Sequence, residues 1–245
     1  MLNMLTSQPT FDTSNKLEIN ASFLIATFNN INVENMEGFT PLIYAIHNKV
    51  DTNMIQFLID CGANVNHADK TGKTVLMHAI YLTTWETIEL LLKAGANIHA
   101  ADNKGRNVFM YATLYATLDV VKKFHKLGCN IHKSCSENLN SLMYATVDNN
   151  LEKVKYLVQC GVTINSTSNH GHTPLMYATL RNNLDIIKYL LDRDADSNVK
   201  DKMGYSALDY ASNYPSKNNE IIEYLKKYKE IQNKPSWLAR RLLSK

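Results

Sequence analysis

Short apolar clusters, each about two helical turns long, alternate with polar breaks along most of the chain. Leu175–Leu180 (LMYATL) is followed by Leu184–Leu191 (LDIIKYLL), with Arg181-Asn182-Asn183 between them. The apolar spacing in each is helical, yet neither reaches the dozen or so residues that an isolated helix needs in water. Such helices persist only where a neighbour covers their apolar face. The pair of clusters also recurs. Gly38–Ala45 reads GFTPLIYA and Gly171–Ala178 reads GHTPLMYA. Degenerate copies are GKTVLMHA at Gly72–Ala79, GRNVFMYA at Gly105–Ala112, NLNSLMYA at Asn138–Ala145 and GYSALDYA at Gly204–Ala211. Their last alanines stand at 45, 79, 112, 145, 178 and 211, one step of 34 and then four of 33. A second signature follows each first one. It reads FLIDCGANVN at Phe57–Asn66 and returns at Leu90–His99, Phe124–His132, Tyr156–Asn165 and Tyr189–Asn198. Its turn position is Gly62, Gly95, Gly128, Gly161 and then Asp194. A fixed period shared by two signatures predicts a stack of like supersecondary units rather than one central core.

Each unit carries boundary signals. Thr173 before Pro174 suits a helix start, the hydroxyl capping free amides and the proline filling the first turn. Gly161, after Leu157 and Val158, suits a left-handed helix stop. Asn149-Asn150 and Asn182-Asn183 fall between paired helices, where a residue tolerant of positive φ is needed. The recurring alanines form a small-residue ladder that lets neighbouring helices approach closely. The ends differ, as caps should. Leu17–Asn32 carries Ile19, Phe23, Leu24, Ile25 and Phe28 and reads as the second helix of a degenerate leading unit. Asn219 to about Ile231 carries Ile221, Ile222, Leu225, Tyr228 and Ile231 at helical spacing. Its acids Glu220 and Glu223 come early and Lys226, Lys227 and Lys229 late, an order that favours the helix dipole. Pro235 then breaks the chain before a short appendix, Ser236–Lys245.

A 33-residue period, with Thr-Pro-Leu opening one helix and a Leu-Leu-x-x-Gly-Ala-Asn type of closure ending the next, resembles the ankyrin repeat. The likeness runs from Asn35 to about Lys227. It implies an all-α fold, an ankyrin-repeat solenoid of stacked helix-turn-helix units with β-hairpin or loop connections. The organisation it implies is an N-terminal tail at 1–16 and a degenerate capping helix at 17–34. Repeats follow at 35–68, 69–101, 102–134, 135–167 and 168–200. A sixth repeat with the C-terminal cap takes 201–233, and a basic amphipathic tail takes 234–245.

The same resemblance implies a non-enzymatic protein–protein interaction module, an adaptor or inhibitor, that holds a protein partner with its hairpin tips and concave face. By position the hairpin tips include Phe39, Lys70, Lys73, Lys104, Arg106, Leu139 and Tyr205. The concave helix positions include Tyr81, Leu82, Leu114, Tyr115, Val147, Leu180 and Arg181. A bare scaffold would keep these slots polar. Here many are apolar or aromatic, which marks a binding surface. Lys70, Lys73, Lys104 and Arg106 flank them, so the expected partner offers an apolar anchor and some acidic character. The competing expectation is that repeats two and three bury these side chains themselves. The family also implies that Asn66 and Asn165 could be hydroxylated by an oxygen-dependent asparaginyl hydroxylase. Small Asn/Lys-rich ankyrin proteins look like those of intracellular bacteria, large viruses and protists that act on host proteins.

Composition sharpens this picture in one place. The chain has 245 residues, 45% apolar and 20% charged, with net charge +3. From Pro215 onward there are eight Lys/Arg against three Asp/Glu, so the excess lies in the tail and the rest is near neutral. Such a balance excludes an obvious nucleic-acid binder. The tail, with Trp237, Arg240 and Arg241, either folds back on the cap helix and buries Trp237 or serves as a second address. It gives the alternative reading, a regulatory or effector subunit directed to a membrane or secretion apparatus, without stable membrane insertion. No run of apolar residues is long enough to span a bilayer, and Met1–Lys16 lacks a secretory pattern. The expected location is cytoplasmic, with delivery into a host cell by a route needing no N-terminal signal peptide left open. Oligomeric state is not legible.

No catalytic constellation, cofactor motif or metal set stands out, so no catalytic residue, cofactor or metal is assigned. His170 and His172 form the best metal-like pair but lack a third ligand. His99 and His132 occupy the hairpin slot of Asn66 and read as hydrogen-bonding substitutes. The four cysteines, Cys61, Cys129, Cys135 and Cys160, read as reduced packing or surface thiols. Met77, Met110, Met143 and Met176, with Tyr44, Tyr111, Tyr144, Tyr177 and Tyr210 beside them, recur with the repeat and read as structural ladders.

Overall fold

A computed structural model of the chain describes residues 30–213 and 218–232. Among them are twelve helices in six pairs. The pairs are α1 (Pro41–His47) with α2 (Thr52–Asp60), α3 (Val75–Leu82) with α4 (Trp85–Lys93), and α5 (Val108–Tyr115) with α6 (Leu118–Lys126). Then come α7 (Ser141–Val147) with α8 (Leu151–Gln159), α9 (Pro174–Leu180) with α10 (Leu184–Leu191), and α11 (Ala207–Asn213) with α12 (Asn219–Gln232). Two compact units divide between Asn130 and Ile131, the first holding α1–α6 and the second α7–α12. Hairpin-like loops join the pairs, with isolated β-bridges at Ala68–Thr74 and Ala101–Asn107. Most of the expected leading helix, Tyr214, and the tail residues Trp237, Arg240 and Arg241 lie outside the described residues.

The capping chemistry explains why such short helices start where they do. Thr173 Oγ1 accepts the backbone N–H of Met176 at 3.3 Å, with Pro174 in the first turn. Thr74, Asn107 and Asn140 do the same for Met77, Met110 and Met143. Second helices are capped by Asp51, Asn150 and Asn183. Each cap satisfies one of the free amides of a first turn and is worth about 1 kcal/mol.

Within the first unit α3 packs between α1 and α5, and α2 packs on α4. Within the second, α9 packs between α7 and α11, and α8 on α10. Ala45, Ala79 and Ala112 in the first unit, and Ala145 and Ala178 in the second, have no exposed surface where the first helices of each unit pack together. The second helices present a narrower stripe, such as Ile88 with Leu91 and Ile186 with Leu190, all buried. Burying each such side chain contributes about 1.5–3 kcal/mol.

The turn between paired helices takes two forms. Asn149 (φ 60°) and Asn182 (φ 55°) are left-handed, as their side chains allow. In repeats two and three, Thr83 (φ −125°) and Ala116 (φ −98°) are extended instead, and α3 and α5 run to eight residues rather than seven. A β-branched threonine or an alanine would be strained in the left-handed region, so the helix continues and the chain leaves it extended.

Hairpins stack on hairpins by backbone hydrogen bonds, Lys70 N to Glu37 O (3.1 Å) and Asn103 N to Thr71 O (3.0 Å) among them. The approach is closest at Gly72 (φ +80°), where a Cβ would lie 2.5 Å from Asn103 Oδ1 and 2.6 Å from its backbone nitrogen. At Gly95 (φ +87°) a Cβ would meet nothing within 4 Å. Gly95→Ala should therefore cost only the left-handed penalty, about 1–2 kcal/mol, while Gly72→Ala should cost about twice that through the added overlap. Urea unfolding midpoints of the two variants check the difference; equal losses would contradict the close hairpin packing.

Candidate protein-binding face

A single side chain ties each hairpin to the first helix that follows it. Asp102 Oδ1 accepts the backbone N–H groups of Lys104 (3.0 Å) and Arg106 (2.8 Å). Its Oδ2 accepts the Tyr111 hydroxyl (2.8 Å) and Arg106 Nε (2.7 Å). Asp69 Oδ1 accepts Thr71 N (2.8 Å) and Lys73 N (3.0 Å), and its Oδ2 faces His78 Nε2 at 3.0 Å. Asp201 accepts Met203 N, Tyr205 N and the Tyr210 hydroxyl. Asn35, Cys135 and Ser168 fill the same slot. Asn35 Oδ1 takes Glu37 N and Phe39 N, and its amide donates to the Tyr44 hydroxyl. The Ser168 hydroxyl takes His170 N and His172 N, and Cys135 Sγ accepts the Tyr144 hydroxyl at 3.6 Å. The tyrosine series is thus the anchor of the hairpins, nine residues downstream of each hub.

Two hubs extend into histidines. His78 Nδ1 lies 3.0 Å from His47 Nε2. With His78 Nε2–H directed at Asp69, the network assigns the shared proton to His47 Nε2. Burial, then the neighbouring His78 and Lys73, lowers the His47 pKa to about 4, so this ring stays neutral in neutral solution. Burial alone would raise the Asp69 carboxyl, but the hydrogen bonds from His78, Thr71 and Lys73 prevail and hold it well below the usual carboxylate range. In the second unit His172 Nε2 lies 2.9 Å from the Tyr210 hydroxyl and 3.3 Å from Asp201. Burial lowers its pKa despite the carboxylate.

Phe39 and Leu139, each four residues after a hub, are buried, which corrects part of the expected face. Phe39 stacks on His47 (5.0 Å between centroids) and meets His78 edge-on (5.4 Å), leaving 8% of it exposed. Leu139 occupies the same slot and is 3% exposed. Leu114 and Val147 are buried as well, since α5 is buried through Leu114 and α7 along its whole length. These four residues are core. Arg106 in that slot lies over the Tyr111 ring at 5.1 Å, and Tyr205 remains 41% exposed beside Tyr210. A ring five residues downstream lies near this slot in Phe39/Tyr44, Arg106/Tyr111 and Tyr205/Tyr210.

Several of the expected positions of the first unit do reach its surface. Tyr81 and Tyr115 are half-buried and meet edge-to-face with centroids 4.7 Å apart; Leu82 beside them is also half-buried. Lys70 and Lys104 are exposed, Lys73 and Arg106 half-buried. Burial, then the charge of Arg106, lowers the Lys73 pKa against the opposing pull of Asp69 and Asp102. The second unit presents Met203 (76% exposed) and Tyr205 at its last hairpin, with Leu180 and Arg181 half-buried at the end of α9. Its buried Lys153 pairs with Asp148 at 2.7 Å.

The remaining candidates are structural. Asn66 donates to Gly95 O (3.0 Å) and accepts Asn97 N (2.7 Å), and Asn165 likewise joins Asp194 O and Asp196 N. His99, in the same slot, is exposed and its ring makes no such bond among the described residues, against the reading of it as a substitute. The buried His172 and exposed His170 have ring centroids 6.0 Å apart, and no group of three metal-ligating side chains occurs among the described residues. Cys129 is buried and its thiol is pushed up to about 12, so it is no nucleophile.

The comparisons with known proteins agree with this architecture. A model of ankyrin repeats (3 copies) matches the chain in overlapping segments, 14–102, 49–135, 85–168, 109–201 and 142–235. The crystal structure of the human ASB11 ankyrin repeat domain superimposes with a TM-score of 0.69 over 83% of this chain and 90% of that one, at 22% identity. The ankyrin repeat protein R841 of Acanthamoeba polyphaga mimivirus is 37% identical over 79 residues, which is 32% of this chain and 10% of that protein. The chain belongs to the ankyrin-repeat family. Its repeats form a protein–protein interaction module, and the fold is generally a non-enzymatic scaffold. No described helix is long and apolar enough to cross a membrane.

The hub network makes stability depend on pH in one direction. His47 and His172 bind protons less readily folded than unfolded, so stability falls as pH drops below their ordinary value of 6.5. Asp69 and Asp201 are held below their ordinary value of 3.8, so their contribution persists above it and is lost at lower pH. Urea midpoints should fall from pH 7 to 5 and again from pH 5 to 3. Asp69→Asn should be less stable at pH 7 and lose less in the second interval. A flat wild-type profile would contradict the network.

Proposed function

We propose that this chain is a non-enzymatic adaptor or inhibitor that captures a protein partner on the hairpin tips and first-helix face. The partner inserts an apolar anchor against Tyr81 and Tyr115 and sets acidic groups against Lys70, Lys73, Lys104 and Arg106. The observation that carries this reading is the tyrosine pair itself. Two large rings meet edge-to-face, half-exposed, on the same face as the exposed Lys70 and Lys104. Tyrosine in such a setting is a favoured interface anchor, giving area at low entropic cost. Leu82 extends the patch, and the second unit offers the exposed Tyr205 and the half-buried Leu180 and Arg181. The partial likeness to a protein of a virus of amoebae supports a role directed at host proteins, in the cytoplasm of the cell where the chain acts. Hydroxylation of Asn66 or Asn165 would act on residues that join one turn to the next, so its effect would fall on stability before binding.

A partner recovered by affinity capture and identified by mass spectrometry provides the test. Tyr81→Ala with Tyr115→Ala should weaken its binding at least about tenfold, the scale of a hot-spot loss, with helix content by circular dichroism unchanged. Binding as tight as wild type would contradict the assignment of this face.

A further inference from the structure

The contact between His47, at the end of α1, and His78, in α3, has a limited capacity for protons. His47 Nε2 and His78 Nδ1 lie 3.0 Å apart, and His78 Nε2 lies 3.0 Å from Asp69 Oδ2. The carboxylate accepts, so His78 Nε2 carries a hydrogen, and one further hydrogen joins the two rings. A first added proton leaves this arrangement intact, because one nitrogen of the facing pair still accepts whichever ring takes it. A second makes every ring nitrogen a donor. Two N–H groups then face each other and the hydrogen bond is lost. Phe39 depends on this pair. Its ring stacks on His47 (5.0 Å between centroids, 27° between planes) and meets His78 edge-on (5.4 Å), which leaves 8% of it exposed. Among the described residues, the charged or titratable groups acting on His47 are His78 from α3 and Lys73 and Asp69 from the second hairpin. Lys73 opposes its charge and Asp69 favours it. The first hairpin is also held by His67, whose Nε2 donates to Gly38 O (2.8 Å) and whose Nδ1 lies 3.8 Å from Glu34. Those contacts survive protonation, since the ring stays a donor and faces an acid.

We infer that the His47–His78 pair is an acid-operated latch over Phe39. Uptake of a second proton opens the contact, His47 turns out toward solvent, and Phe39 is uncovered while the rest of the first unit stays folded. His47 is the ring that moves. It is half-buried and stands in the last turn of α1, where the helix dipole favours a cation. His78 is buried and keeps its contact with Asp69. Burial, then His78 and Lys73, holds the closed His47 down at about 4, against an ordinary value of 6.5. Between those values the open latch binds a proton that the closed one does not, so acid drives opening. His47 stands two residues after Ala45, as Tyr81 stands two after Ala79. The latch therefore occupies a slot of the proposed binding face, and its opening adds an aromatic ring there. The latch itself requires no partner.

Hydroxyl-radical footprinting of the full chain between pH 7 and pH 4, read by mass spectrometry, provides the test. Phe109 and Phe124 lie in the same unit with no exposed surface, so their labelling reports global unfolding. Opening that binds one proton gains up to about tenfold per pH unit. Labelling of Phe39 should rise at least about threefold across the range, with Phe109 and Phe124 still protected. His47→Gln, whose amide can donate to His78 Nδ1 but takes no proton, should label Phe39 equally at pH 7 and pH 4. His47→Lys, a cation throughout the range, should label Phe39 at pH 7 at least as strongly as the wild type at pH 4. Wild-type labelling of Phe39 that stays level, or that rises only together with Phe109 and Phe124, overturns the latch. A rise in His47→Gln equal to the wild type's, or a Phe39 that stays protected in His47→Lys, also overturns it. Should His47→Gln not fold, the wild-type and His47→Lys profiles decide.

Discussion

Every hairpin in the described repeats carries one hub side chain, at 35, 69, 102, 135, 168 and 201, half-buried at Asn35 and buried at the others. The same group accepts from its own hairpin, from the first helix, or from both. Asp102 shows why so much depends on it. Its two oxygens accept from two backbone amides, a tyrosine hydroxyl and a guanidinium. A helix of seven or eight residues has no stability of its own. It is placed by its cap, by the alanine ladder against the adjacent helices, and by the ring that reaches the hub. Removal of a hub carboxylate would leave several buried donors unsatisfied together, and such losses exceed the sum of single hydrogen bonds.

This constraint also determines what the surface can offer. A hub consumes its carboxylate internally, so an aspartate in that slot adds nothing acidic to the outside. Of the cations that follow it in repeats two and three, Arg106 pairs with the buried Asp102, while Lys70 and Lys104 reach the surface. In the same repeats the extended turns at Thr83 and Ala116 lengthen α3 and α5 by one residue, and the helix ends carry Leu82 and Tyr115. The cationic hairpins and the tyrosine pair therefore arise from two local departures from the common repeat. Both fall in the first unit. The second unit differs in kind, with an asparagine or serine-rich hairpin set, a buried Lys153–Asp148 pair and exposed apolar groups at Met203 and Tyr205.

The fold was legible because two signatures repeat in register. The α9 start at Thr173-Pro174, the left-handed Asn149 and Asn182, and the buried face of α12 all follow from letters in the chain. The site was less so. Phe39 and Leu139 read as exposed because their slot is exposed in the abstract repeat, but a ring five residues downstream gives an apolar side chain there something to cover. Leu114 and Val147 needed the packing of whole helices. The hub ladder escaped notice because its letters differ, Asn, Asp, Asp, Cys, Ser and Asp, while the chemistry they share is the ability to accept hydrogen bonds. The inward turn of Asp69 and Asp102 could not be seen in a charge count, which does not distinguish a buried carboxylate from an exposed one.

Native-state hydrogen exchange on the full chain tests the hub most directly. The account predicts that the hairpin amides of Lys73 and Arg106, which bond Asp69 and Asp102, exchange with opening free energies close to those of the helical amides of Met77 and Met110. Opening of hairpin and helix would then be one cooperative event. Hairpin amides that exchange near the intrinsic rate while the helices stay protected would contradict it, and would make the hairpins independent loops on a helical stack.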